Sequence, residues 1–168
     1  MTAPSSAPAL AYALKLLDPA APGRRLPRAE QSAAAQAVLN LLAPEGAAAA
    51  SKSHARAMAA AGVAPAGRIG VDVEYCASGR PIGAIAHYLL GRPVADDAAA
   101  YRAFTFHEAY FKAFGAAPDA DLAHAAAHAP APLWRPRADL GVLHAAPAPD
   151  FVLTLVWTCA GEPAQVSL

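Results

Sequence analysis

Ile69-Gly70-Val71-Asp72-Val73-Glu74 alternates β-branched residues with glycine and acids, the pattern of a strand whose side chains repeat every second residue. At that spacing Asp72 and Glu74 project from one face. Residues 68–75, rich in Val and Ile, form the clearest strand in the chain. Downstream, Phe104-Thr105-Phe106-His107-Glu108-Ala109-Tyr110-Phe111-Lys112-Ala113-Phe114-Gly115 sets Glu108 and Lys112 four residues apart, neighbours on one helix face. Three carboxylates offer the hard oxygen donors that a divalent cation takes, and Lys112 offers a charge for a phosphate. Together they predict a magnesium phosphoryl-transfer site.

Each stretch alone also fits ordinary structure. Asp72 and Glu74 could line the wet face of an edge strand, and Glu108 with Lys112 could be a solvated pair worth a few tenths of a kcal/mol. At roughly 100° per residue, Phe104, His107, Tyr110, Phe111 and Phe114 fall on one broad arc expected to face the core. Glu108 and Lys112 lie at its edge, which suits a carboxylate directed into a cleft between helix and sheet.

The remaining elements follow from punctuation and period. Residues 1–8 read as a flexible start, 9–17 as a strand or short helix, and 19–27 as loop. A helix is expected from Pro27 through Leu42, with Glu30 in its first turn and a stop before Pro44 and Gly46. The alanine-rich stretch 47–61 reads as helix by propensity or as part of a strand hairpin, 54–61 with 68–75. A short helix is expected over 81–90, ending at Gly91, and a longer one over 98–114, capped by Asp96 or Asp97 and ended by Gly115. Residues 116–132 read as a connection with some helix, 133–135 and 140–144 as short strands, and 151–159 as a buried strand.

At 168 residues the chain fits one domain or two small halves sharing a core. Thirteen basic and thirteen acidic residues cancel, leaving no basic footprint for nucleic acid; Arg24, Arg25 and Arg28 are the densest cluster. Cys76 and Cys159 lack the spacing of a zinc site or disulfide framework, and Cys76 reads as a small buried hydrophobe. No signal sequence or apolar run of membrane-spanning length is visible. The expectation is a reduced, cytoplasmic protein that does not enter a membrane.

The two acidic motifs, in this order and about thirty residues apart, resemble those of the 4′-phosphopantetheinyl transferase superfamily, (I/V)G(I/V)D(I/V)E and (F/W)xxKE(A/S)xxK followed by Gly. Ser51-Lys52-Ser53-His54, followed by small residues and then Arg68-Ile69-Gly70, is similar to the Ser-His segment ahead of the acidic strand in the larger, pseudo-dimeric members. Residues 24–42 resemble, more weakly, the arginine-bearing helix of their first half, and 151–158 resemble their terminal strand. Three departures stand out: His107 occupies the place of a lysine, Ala55 that of a serine, and the first half is abbreviated between Leu42 and Ser51.

The resemblance implies an α+β fold of antiparallel strands packed on a long helix, in two related halves: a reduced first half over 1–66, and a second half over 67–168 carrying the metal-site motifs. It implies Mg²⁺-dependent transfer of 4′-phosphopantetheine from coenzyme A to a serine of an acyl or peptidyl carrier protein. Asp72, Glu74 and Glu108 would ligate the ion, Glu108 or a metal-bound water would take the serine proton, and Lys112 would hold the transferring phosphate. Ser53, His54, Lys112 and His107 would contact the coenzyme, although His107 reads equally as a core histidine. The alternatives are a degenerate member that binds a carrier or coenzyme A without turnover, and an oligomer, rather than a pseudo-dimeric monomer, whose neighbour supplies the missing wall.

Overall fold

A computed structural model describes residues 10–43 and 46–167. The expected flexible start and the Pro44 stop lie outside these. In chain order the elements are β1 (Ala11–Leu16), α1 (Arg28–Leu42), β2 (Ala49–Ala55), β3 (Met58–Ala64), β4 (Ile69–Tyr75), α2 (Ile82–Leu90), α3 (Asp97–Phe114), α4 (Ala120–Ala127), β5 (Leu133–Arg137), β6 (Leu140–Ala145), β7 (Phe151–Trp157) and β8 (Ala164–Val166). The fold is mixed α+β. The strands form two four-stranded sheets, ordered β2-β3-β1-β8 and β4-β7-β6-β5. Every pairing is antiparallel except β1 with β8, where the C-terminal segment returns to the first sheet.

Side-chain alternation stacks the layers. Ile69, Val71 and Val73 of β4, with Leu153, Leu155 and Trp157 of β7, pack against Tyr12, Met58 and Ala60 of the first sheet. The opposite face of the first sheet presents Ala13, Ala59 and Ala61 to Ala35 and Val38 of α1. The opposite face of the second presents Leu140, Val142 and Val156 to Phe106 and Ala109 of α3. Both sheets thus lie inside, with helices outside. No helix among the described residues is long and apolar enough to cross a membrane.

The expected hairpin of 54–61 with 68–75 does not form. β2 and β3 make the hairpin instead, turning at Arg56 and Ala57, and β4 belongs to the other sheet. Alanine is a poor strand former, yet all of β3 (Met-Ala-Ala-Ala-Gly-Val-Ala) is buried. Burial between two layers overrides its local preference, and only side chains this small let α1 and the second sheet close on both faces.

The long helix forms as expected. The Asp96 carboxylate accepts from the Ala99 N–H at 2.8 Å, and Gly115 ends the helix in the left-handed region at φ 71°. Its buried face differs from the expected aromatic arc. Tyr101, Ala103, Thr105, Phe106 and Ala109 are buried, whereas Phe111 is 51% exposed. The cause is close approach to β4: a Cβ on Gly70 would run into the Ala109 carbonyl. Small residues take the line of contact, and the larger aromatics are displaced to its flanks, where Tyr110 stacks on Phe114.

Candidate active site

Two sheet edges meet where the acidic strand lies. The outward amides of β4 have no neighbouring strand; side chains of β2 satisfy them instead. Val71 N–H donates to Ser51 Oγ at 3.0 Å, and Val73 N–H to Ser53 Oγ at 3.3 Å. This serine seam joins the edges without a backbone ladder, and it brings Ser53 beside Asp72.

Asp72 is buried, with 8% of its side chain exposed. Its Oδ1 accepts from Ser53 Oγ at 2.9 Å and from Lys112 Nζ at 2.7 Å. Lys112 also donates to Ser53 Oγ at 3.1 Å and to the Val71 carbonyl at 2.9 Å. The Ser53 hydroxyl therefore donates once and accepts twice, which uses its full capacity. Asp72 Oδ2, by contrast, is buried without a partner. Burial raises the Asp72 carboxyl to about 6, against the opposing pull of Lys112 and Ser53.

Glu74 and Glu108 have other neighbours. Glu74 Oε2 pairs with Arg80 at 2.7 Å, and Arg80 is itself stacked over Phe104. Glu108 Oε1 lies 3.6 Å from His107 Nδ1. His107 is only partly buried, but its Nδ1 is enclosed and lacks a hydrogen bond. α3 runs antiparallel to β4, with Arg68 against Phe114 at one end and Tyr101 bonded to Ala77 at the other. That direction places Glu108, one turn before Lys112, toward the Glu74 end of the strand.

Among the described residues, no three His, Cys, Asp or Glu side chains gather as a ready metal cluster. Magnesium keeps several waters and takes as few as one or two carboxylates. The donor chemistry fits that ion, and the unpartnered Oδ2 of Asp72 is the oxygen best suited to meet it. Glu74 and Glu108 would complete the set by turning from Arg80 and His107.

Two cavities flank the site. One, of about 310 Å³, is lined by Ser32, Lys52, Ser53, His54, Asp72 and Lys112. The other, of about 600 Å³, includes Arg25, Arg56, Arg80, Glu74 and Tyr75 in its wall. His54 borders both. Its imidazole is held below the ordinary value by burial first, and then by the charges of Lys112 and Arg28, so it is neutral near pH 7. Among the described residues, neither Arg25 nor Arg56 has an ion-pair partner. The larger cavity therefore offers anion-binding charge next to the carboxylates.

The structure thus brings Ser53, His54, Asp72 and Lys112 to one cavity and Glu74 to the adjoining one, while His107 and Glu108 face each other on α3. Arg56 and Arg80 are the wall residues that sequence patterning missed. Arg80 carried a signal: it follows the acidic strand across Ser78-Gly79, near enough to fold back on Glu74. Arg56 carried none, because its position depends on the β2–β3 turn. No family model matches the chain, and no curated protein matches it.

Proposed function

We propose that the chain is a phosphopantetheinyl transferase, moving 4′-phosphopantetheine from coenzyme A to a carrier-protein serine. The observation that carries this reading is the Lys112–Asp72 pair, 2.7 Å apart, in the wall of a small cavity that shares His54 with the arginine-lined one. Bound Mg²⁺, held by Asp72 with Glu74 and Glu108, would neutralise the pyrophosphate and polarise it toward attack.

The chain's own residues do the rest. Arg25, Arg56 and Arg80 draw the coenzyme's phosphates into the larger cavity, guanidinium forks being suited to phosphate oxygens. His54, neutral and at the junction of the two cavities, donates a hydrogen bond to one phosphate. Lys112, one flexible stem from Asp72, turns to the transferring phosphate and stabilises charge as it develops. Glu108 stands at the more exposed end of the site and accepts the proton of the incoming carrier serine. The serine oxygen bonds to the β-phosphorus, the bond to the bridging oxygen breaks, and 3′,5′-ADP leaves. Most of the acceleration is positioning and charge neutralisation.

A second reading is a family member that binds without turnover. It is favoured by the engagement of Glu74 with Arg80 and of Glu108 with His107. Calorimetric titration of coenzyme A, paired with intact-mass analysis of apo carrier proteins incubated with coenzyme A and Mg²⁺, separates the two. Transfer adds one phosphopantetheine to the carrier and is abolished in Asp72→Ala. Coenzyme binding with no mass change on any carrier would favour the second reading, and neither binding nor transfer would exclude both.

A further inference from the structure

Near the opposite end of α3 from Lys112, a separate cavity of about 310 Å³ opens between that helix, the loop after α4, and the ends of β6 and β7. Ala98, Pro130, Pro132 and Val152 supply apolar wall, and Arg102 and His144 supply the charged and polar groups. The two differ in what they can offer a ligand.

His144 is fully committed. Its Nε2 lies 3.1 Å from the Ala126 carbonyl and its Nδ1 lies 2.8 Å from Thr154 Oγ1, which in turn lies 2.6 Å from Thr105 Oγ1. A carbonyl can only accept, so Nε2 carries the proton, Nδ1 accepts from Thr154, and Thr154 accepts from Thr105. The single hydrogen of the Thr105 hydroxyl is shared between Thr154 and the Tyr101 carbonyl, 2.9 Å away. Burial and the nearby Arg102 charge hold the ring neutral.

Arg102 is the reverse case. Its Nε is buried with no hydrogen-bond partner, and among the described residues no carboxylate lies within ion-pair distance of it. An unneutralised guanidinium beside an apolar wall calls for an anion. A single guanidinium edge matches the two oxygens of one carboxylate, whereas phosphate sites ordinarily converge several donors. The volume stands at the small end of the range for ligand pockets, about 300–1,000 Å³.

We propose that this cavity binds a small aliphatic monocarboxylate, its head on Arg102 and its chain against Pro130, Pro132 and Val152. The site is separate from the Asp72 centre and does not depend on the function proposed for it.

Calorimetric titration with butyrate, hexanoate, 1-hexanol and inorganic phosphate tests this. Hexanoate should bind saturably, about tenfold or more tighter than butyrate from its two further methylenes, with 1-hexanol and phosphate at least tenfold weaker than hexanoate. Arg102→Met should abolish hexanoate binding. So should Ala98→Trp, which crowds the mouth from an exposed position and preserves the fold whatever Arg102→Met does. No saturable hexanoate binding, equal binding of phosphate, or affinity unchanged in either folded variant would overturn the proposal.

Discussion

Lys112 Nζ sits 2.7 Å from Asp72 Oδ1, while the other oxygen of that carboxylate is buried without a donor. The lysine is 30% exposed and the aspartate 8%, so the partners are not equivalent. Losing the lysine strands a buried charge; losing the aspartate leaves an ammonium that can reach water. Lys112→Met should therefore cost about 3 kcal/mol at pH 7, near the lower bound for breaking a buried pair. Asp72→Asn should cost clearly less. Urea unfolding at pH 7 and again at pH 4.5 checks this, because protonation of Asp72 at the lower pH should shrink the Lys112→Met deficit.

Two buried groups tilt stability in opposite directions over one pH range. The Asp72 carboxyl is raised from 3.8 to about 6 by burial, so its contribution is full below the unfolded value and is lost as pH rises toward 6. The His144 imidazole is lowered from 6.5 to about 4, again by burial, so its contribution is full above 6.5 and is lost as pH falls toward 4. Each is worth up to about 3 kcal/mol, and in the wild type the two should largely cancel between pH 4 and 6.5. His144→Gln should gain stability relative to wild type as pH falls through that window, and Asp72→Asn should lose it. Parallel pH profiles for both variants would contradict the assignment.

Gly70 holds α3 against β4. Because a Cβ there meets the Ala109 backbone carbonyl, neither partner can yield by rotating a side chain. Gly70→Ala should cost about 3 kcal/mol, at the upper end of ordinary overpacking. It should also weaken any activity that needs Lys112 beside Asp72. Thermal melts and the transfer assay measure the two effects together.

Arg56 is a non-glycine residue at φ 54°, in the turn that places its guanidinium in the larger cavity. Glycine adopts that backbone without penalty. Arg56→Gly should leave stability unchanged or raise it by up to about 1 kcal/mol, while weakening coenzyme A binding at least tenfold. A loss of stability with unaltered binding would show that the side chain serves the turn and not the cavity.

How far the sequence reveals this molecule depends on which residues spoke locally. β4 and β7 were legible from their Val, Ile and Leu, and α3 was legible from Asp96 and Gly115 at its ends. β2 and β3 were obscured because alanine is a poor strand former; burial between α1 and the second sheet makes a strand of β3, and pairing with β3 makes one of β2. The face of α3 was misjudged for a related reason: helical angle locates the aromatics but cannot show that Gly70 demands small residues at the contact. At the site, the serine seam and the Arg80–Glu74 pair arise from tertiary placement. Sequence spacing marked Asp72 and Lys112, and the family resemblance marked Ser53, without showing that the Ser53 hydroxyl bonds to both.

The most direct measurement is the intact mass of apo carrier proteins incubated with the purified protein, coenzyme A and Mg²⁺. A carrier mass higher by one phosphopantetheine with wild type, lost in Asp72→Ala and Lys112→Ala and on chelation of Mg²⁺, is the predicted result. An unmodified carrier across a panel of acyl and peptidyl types, from protein that is folded and binds coenzyme A, would contradict the transferase account.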